Sequence, residues 1–138
     1  MQPRRFGILG FGAIGRSLVA ALARAPVPGH QLTALLVRPH QVADAQAAVP
    51  PGVAVVTDLP ALLALAPDGV VEAAGQGAVA AHGVQVLAGG TPLLALSVGA
   101  LADAALHTAL HQAARQGGTQ LVLPVGAIAG LDGLMALR

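Results

Sequence analysis

The sequence predicts a doubly wound α/β fold, a mostly parallel sheet of six strands with helices on both of its faces. Short apolar runs alternate with helical stretches along the 138-residue chain, the pattern of strands that helical crossovers connect. The apolar runs are continuously hydrophobic, which is typical of parallel strands covered on both faces. The length favours one domain with a single core.

Six apolar runs, each bounded by glycine, proline or polar residues, are predicted as strands. They are RFGIL (5–9), QLTALLV (31–37), VAVVT (53–57), GVVEAA (69–74), PLLALS (92–97) and TQLVLP (119–124). Because right-handed crossovers connect successive parallel strands, a helix is expected between each pair.

Five stretches between these runs have helical character, and most of them end at glycine or proline. They are AIGRSLVAALARA (13–25), HQVADAQAAV (40–49), LPALLALA (59–66), AVAAHGVQVLA (78–88) and ADAALHTALHQAAR (102–115). After Pro124 the pattern changes to a glycine-spaced turn. We therefore expect one domain over residues 1–124 and a connection over residues 125–138.

Composition argues against several classes of protein. Hydrophobic residues make up 55% of the chain and charged residues 9%, a balance that excludes disorder. The seven basic residues are all arginines, scattered along the chain with only two aromatic residues, so we expect no nucleic-acid partner. Without cysteine the chain has no disulfide, thiol nucleophile or thiolate metal site. We expect a cytoplasmic protein.

Two segments imitate membrane or export signals. Residues 73–102 contain no Asp, Glu, Lys or Arg, but polar residues, glycines and Pro92 interrupt the run too often for a spanning helix. Residues 1–25 resemble a secretory signal, yet Arg16 breaks their apolar run. We therefore expect no membrane partner.

The first predicted strand runs directly into GFGAIG (10–15), a GxGxxG motif at a strand-to-helix turn. Gly10 lets the chain turn sharply, Gly12 lets the backbone approach a pyrophosphate, and Gly15 lets the helix pack closely on the strand. This context predicts a Rossmann-type domain.

The predicted helix begins within the motif, at Ala13, and Ile14 follows in its first turn. The N–H groups of these two residues and the positive end of the helix dipole attract phosphate. We therefore predict NAD or NADP as the cofactor. The alternative is a glycine-rich turn in an α/β domain that binds another ligand, such as S-adenosylmethionine.

Arg38 stands at the end of the second strand, in LLVRPH (35–40), where an NAD-binding domain carries an acid for the ribose 2′-hydroxyl. An arginine can pair with a 2′-phosphate or lie over the adenine. NADP should therefore be accepted and can be preferred. The alternative is an ordinary surface arginine at the end of a strand.

Four blocks of sequence, in this order, resemble the L-aspartate dehydrogenase family. They are GFGAIG, VVEAAGQGAVAAHGVQVLAGG, LLALSVGALAD and LPVGAIAGLDGL. The resemblance implies oxidation of L-aspartate with NAD or NADP to iminoaspartate, which hydrolyses to oxaloacetate and ammonia or feeds NAD biosynthesis. It also implies a second domain that supplies the catalytic histidine and a cofactor-contacting asparagine. No catalytic residue is therefore expected before residue 138, and this chain alone is expected to be inactive.

The resemblance also assigns cofactor contacts to the loops after the fourth, fifth and sixth strands. The matching residues are Ala74, Gly75, Gln76, Ser97, Gly99, Ala100 and Ala127. Small residues there let a ring lie against the backbone, although they also simply permit tight turns. Val125 and Ala129 depart from the family, which has serine or alanine and glycine at these places.

Two other functions remain open at this point: a non-catalytic NAD(P)-binding module, or another amino-acid dehydrogenase such as a homoserine dehydrogenase relative. If the chain is part of such an enzyme, the outer edge of its sixth strand lacks a covering domain, so we expect self-association or poor solubility. A homo-oligomer is expected.

Several other polar residues have weaker interpretations. Asp103, His107 and His111 recur every four residues and could hold a metal, but a solvated helix face is favoured and no metal is expected. His82 is interpreted as a packed or hydrogen-bonded histidine in preference to a general base. Glu72 ends the fourth strand, where it could contact substrate or ribose, cap a helix or form an ion pair.

Overall fold

The computed structural model describes residues 1–124, and the fold class predicted from the sequence is confirmed. Six strands form one sheet in the order β3-β2-β1-β4-β5-β6, and every pair is parallel. The strands are β1 (Arg4–Leu9), β2 (His30–Leu36), β3 (Ala54–Val56), β4 (Gly69–Glu72), β5 (Leu93–Ala95) and β6 (Leu121–Val122).

Five α-helices connect the strands, as the sequence predicts. They are α1 (Ala13–Arg24), α2 (Val42–Ala48), α3 (Leu59–Ala64), α4 (Gln76–Ala88) and α5 (Ala104–Gln116). Two 3₁₀ turns, Pro39–Gln41 and Val98–Ala102, precede α2 and α5. The first occupies His40 and Gln41, where the sequence predicts the start of α2, and short 3₁₀ turns are frequent at the amino termini of α-helices.

The two faces of the sheet carry separate cores because successive strand residues point to opposite sides. Ile8 packs in the core beneath α1 and α2, whereas the next residue, Leu9, packs in the core beneath α3, α4 and α5. Val71 and Val70 of β4 divide in the same way. Helices therefore lie on both faces, as predicted.

Several predicted boundaries differ from the structure. The predicted strand 69–74 ends at Glu72, and Gly75, at a φ of 112°, turns the chain into α4. The predicted strand 119–124 is ordered as a strand only at Leu121–Val122. The predicted connection 125–138, with Val125, Ala127 and Ala129, lies outside the described residues.

Within residues 1–124, no helix is long and apolar enough to cross a membrane. The structure comprises one chain, so the predicted homo-oligomer stays a prediction.

Helices α4 and α5 pack closely because glycines face the contact. A Cβ at Gly83 would lie 2.7 Å from Cδ2 of Leu110. A Cβ at Gly117, just after α5, would overlap the carbonyl oxygen of Leu87 and lie 2.9 Å from the nitrogen of Gly90. Backbone atoms cannot rotate away as a flexible side chain can, so Gly117 has no room for a side chain.

We expect Gly117→Ala to lower the free energy of unfolding by about 3 kcal/mol, near the top of the usual range for overpacking. Gly77→Ala is the control, because a Cβ at Gly77 meets no atom within 4 Å and alanine favours the helix by up to about 1 kcal/mol. Urea denaturation followed by circular dichroism at 222 nm measures both. Equal stabilities of the two variants would contradict the packing described for the end of α5.

Candidate functional site

A cleft of about 520 Å³ opens at the carboxyl edge of the sheet, beside the ends of β1, β2 and β4. Strand β1 lies between β2 and β4, and the helices that follow β1 and β4 lie on opposite faces. This is the topological switch point, where doubly wound sheets bind their ligands. The cleft is lined by the following polar and small residues, among others: Gly10, Gly12, Arg38, Gln41, Ala74, Gly77, Ala78, Ala81 and His82.

The three glycines of the motif have three different surroundings. Gly10 has a φ of 113°, and a Cβ there would lie 2.6 Å from Cβ of Ala74. A Cβ at Gly15 would overlap the carbonyl oxygen of Gly10, so this glycine permits the close approach of α1 to the turn. A Cβ at Gly12 meets no atom within 4 Å. Gly12 therefore leaves open space at the cleft.

The amino terminus of α1 is arranged to receive an anion. Gly12 is its N-cap and provides no side-chain hydrogen bond, and the first turn holds no acidic residue. The N–H groups at Ala13 and Ile14 therefore meet neither a side-chain cap nor a nearby carboxylate at this end of the helix dipole. These N–H groups and the open space at Gly12 form a cradle that fits a pyrophosphate.

Arg38 lies exposed two residues beyond β2 and lines the cleft. The side chain of Gln41 makes hydrogen bonds to two loops. Its Nε2 donates to the carbonyl oxygen of Phe11 at 3.0 Å, and its Oε1 accepts from the N–H of Arg38 at 3.1 Å. One side chain thus ties the loop after β2 to the glycine loop. Sequence reasoning missed Gln41, because no local motif marks a contact across thirty residues.

Phe11, between the first two glycines, anchors the glycine loop in the core. It is 2% exposed and packs among residues of β1, β2, α1 and α2. The guanidinium carbon of Arg16 lies 4.3 Å from the centre of its ring, and Arg16 also pairs with Asp44 at 3.4 Å. The apolar anchor leaves the backbone of the glycine loop at the surface of the cleft.

Glu72, the last residue of β4, is 1% exposed and joins the loops after β4 and β5. Its Oε1 accepts from the N–H of Ala74 at 2.7 Å, the N–H of Gly75 at 2.8 Å and the hydroxyl of Ser97 at 2.9 Å. Its Oε2 accepts from the N–H of Ser97 at 3.1 Å. These contacts join two loops and are not the helix cap named among its alternatives, because the N-cap residue of α4 is Gly75, which makes no side-chain hydrogen bond to the helix.

The residues assigned to the loop after β5 have mixed surroundings. Ser97 directs its hydroxyl to Glu72. A Cβ at Gly99 would overlap Nε2 of Gln76, so Gly99 makes room for that side chain. Ala100 is 6% exposed and belongs to the core, so its side chain does not face the cleft. The cofactor contacts assigned to these residues stay predictions, and Ala127 lies outside the described residues.

The weaker candidates do not assemble a further site. Asp103 caps α5 by accepting from the N–H groups of Ala105 and Leu106. Nε2 of His107 lies 3.1 Å from Nε2 of His111 on the exposed face of the helix. Among residues 1–124, no three His, Cys, Asp or Glu side chains are grouped to hold a metal ion. His82 is half-buried along the wall of the cleft.

Residues 10–124 match the family model described as "Homoserine dehydrogenase, NAD binding domain". The chain belongs to this family of NAD-binding domains. The prediction of NAD or NADP as the cofactor is thereby confirmed at the level of the family, and the matched range begins at the first glycine of the cradle.

The resemblance to L-aspartate dehydrogenases is also confirmed. The chain is 44% identical over 136 residues to L-aspartate dehydrogenase 2 of Bordetella pertussis, a match that covers 99% of this chain and 50% of that protein. It is 44% identical over 132 residues to the L-aspartate dehydrogenase of Ruegeria pomeroyi, over 96% of this chain and 46% of that one. The chain thus spans about half the length of the curated relatives it matches.

Solved structures share the fold. The crystal structure of aspartate dehydrogenase from Thermotoga maritima superposes with a TM-score of 0.68 at 23% identity, over 96% of this chain and 50% of that one. The WlbA dehydrogenase of Bordetella pertussis, in complex with NADH and UDP-GlcNAcA, superposes with a TM-score of 0.76 at 21% identity, over 89% and 37%.

The different surroundings of the glycines predict different effects of one added methyl group. Gly12→Ala should leave the free energy of unfolding within about 1 kcal/mol of the original, because the methyl enters open space. Binding of NADH or NADPH should fall at least about tenfold, because the methyl would occupy the pyrophosphate cradle. Titration followed by the emission of the nicotinamide measures the affinity of each cofactor, because the chain has no Trp or Tyr whose own emission could report binding.

Gly15→Ala is the comparison and should lower both stability and binding, because its methyl overlaps the carbonyl oxygen of Gly10. Undiminished cofactor binding by Gly12→Ala would contradict the cradle.

Proposed function

We propose that this chain is the cofactor-binding part of an NAD(P)-dependent L-aspartate dehydrogenase. Residues 1–124 are the NAD(P)-binding domain, and residues 125–138 begin the connection to a substrate domain. The observation that carries the proposal is the open cradle at Gly12, before the uncapped start of α1 and at the switch point of the sheet. The identity to L-aspartate dehydrogenases along the chain supports the choice of substrate.

Each loop at the carboxyl edge of the sheet has a separate task in this proposal. Gly12 and the N–H groups of Ala13 and Ile14 receive the pyrophosphate. Arg38 lies beside the adenosine ribose and pairs with its 2′-phosphate when the cofactor is NADP. The loops after β4 and β5 receive the nicotinamide end. When bound, the nicotinamide supplies the chemistry by accepting a hydride from the α-carbon of the substrate, while the protein binds and orients.

The reaction in this proposal oxidises L-aspartate to iminoaspartate, which hydrolyses to oxaloacetate and ammonia or enters NAD biosynthesis. The catalytic histidine belongs to the substrate domain. Residues 1–124 hold the cofactor in this proposal, so this chain alone is expected to bind it without turnover.

Another amino-acid dehydrogenase is the second candidate, because the description of the matching family model names homoserine dehydrogenase. The identity to L-aspartate dehydrogenases over 99% of the chain favours aspartate. Initial rates with L-aspartate and L-homoserine, measured on the complete enzyme to which this chain belongs in the proposal, separate the two. Faster reduction of NAD(P) with homoserine would overturn the choice of substrate.

Arg38 is expected to favour NADPH over NADH. Arg38→Ala should weaken NADPH binding at least about tenfold, because a charge-assisted hydrogen bond to phosphate contributes about 1.5–3 kcal/mol. NADH binding should stay within about twofold, since it lacks the 2′-phosphate. Titration with each cofactor, followed by nicotinamide emission, measures the ratio.

The control is Arg24→Ala, which removes an arginine from the last turn of α1, the end away from the cradle. It should leave both affinities unchanged. A loss of NADPH and NADH binding by the same factor in Arg38→Ala would mean that Arg38 supports the loop and does not select the cofactor.

A further inference from the structure

Glu72 is the single buried charged side chain found among residues 1–124. Within the same part of the chain, the one ion pair joins Arg16 to Asp44, so Glu72 has no cationic partner there. A buried carboxylate is costly unless hydrogen bonds replace its hydration. Its four contacts supply that replacement, and three of them are backbone N–H groups, which can only donate. Both oxygens therefore act as acceptors.

These contacts divide between two loops. Ala74 and Gly75 lie between β4 and α4, whereas Ser97 follows β5, twenty-five residues after Glu72. Gly75 needs its particular backbone, with a φ of 112°, to begin α4. Strands β4 and β5 pair only through Val70–Glu72 and Leu93–Ala95, so the ladder itself stops where the loops start. Beyond that point, Glu72 is the side chain that links the two loops.

We propose that Glu72 is a positioning residue for the nicotinamide end of the cofactor. Its carboxylate holds the loops after β4 and β5 at a fixed separation, so that a nicotinamide ring meets a preformed surface. The proposal rests on the proposed function, because that function assigns these loops to the nicotinamide. Glu72 itself is covered by the loops and acts through them.

Glu72→Gln is the sharpest test because it keeps the shape of the side chain. An amide has one accepting oxygen and one donating nitrogen. Whichever way it turns, its NH₂ group faces an N–H donor, either that of Ser97 or those of Ala74 and Gly75. Asp103→Asn is the matched control, since it makes the same chemical change in another carboxylate that accepts from backbone N–H groups. Asp103 accepts from two of them at the exposed start of α5.

The first readout needs no cofactor. Amide hydrogen exchange followed by NMR should be at least about tenfold faster in Glu72→Gln at Ala74, Gly75 or Ser97, one such bond being worth about a factor of ten. Exchange at Ile8 and Leu35, in the other core, should not change. Unchanged exchange in both loops would overturn the proposal, whether or not the chain binds a cofactor.

The second readout compares NADH with ADP-ribose, which lacks only the nicotinamide, by calorimetric titration of the 138-residue chain. Glu72→Gln should weaken NADH at least about fivefold and leave ADP-ribose within about twofold, while Asp103→Asn changes neither. Equal affinities of Glu72→Gln and the original chain for NADH would overturn the role toward the nicotinamide and leave the proposed function intact. Failure of the original chain to bind either ligand would instead overturn the proposed function, and exchange alone would then decide whether Glu72 holds the loops.

Ser97→Ala provides a second variant in case Glu72→Gln does not fold. It removes one of the four contacts, the hydroxyl on Oε1, and leaves the three N–H groups in place. A smaller loss of NADH affinity, of about twofold to threefold, with ADP-ribose unchanged is expected. Equal loss for both ligands would overturn a role confined to the nicotinamide end.

Discussion

The close approach of two backbones at the carboxyl edge of the sheet is the constraint on which the site depends. Leu9 pairs with Glu72 at the end of the β1–β4 ladder, and directly beyond that pair a Cβ at Gly10 would lie 2.7 Å from Cα of Ala74. Any side chain at position 10 would push apart the glycine loop and the loop after β4, which border the cleft. The glycine motif thus shapes the loop after β4 as well as its own turn.

The same register explains why an acid can end an otherwise apolar strand. Val70 and Glu72 lie two residues apart in β4, so both face the side of α4 and α5, where Val70 is buried in the core. At the end of the strand, the backbone of both loops turns its N–H groups toward that side. A buried carboxylate at this one place is stabilised by charge-assisted hydrogen bonds, and a few residues earlier it would face only apolar side chains.

Local sequence patterns predict the fold because each element depends mainly on nearby residues. Continuous apolar runs predict buried parallel strands, and the GxGxxG spacing predicts the cradle. The contacts of Gln41 and Glu72 could not be predicted, because each joins loops distant in sequence and depends on how those loops meet. The 3₁₀ turn Val98–Ala102 is too short for a periodic pattern. Ala100, within this turn, matches a family motif, but its side chain lies in the core.

Two side chains outside the glycine motif join pairs of loops at the carboxyl edge of the sheet. Gln41 ties the loop that carries Arg38 to the glycine loop, whereas Glu72 ties together the loops after β4 and β5. The four hydrogen bonds of Glu72 and the two of Gln41 have no residue in common. A change at Gln41 therefore removes none of the bonds that join the loops after β4 and β5, and a change at Glu72 removes none of those that hold the loop of Arg38. The two pairs of loops are thus joined by separate contacts at one edge of the sheet.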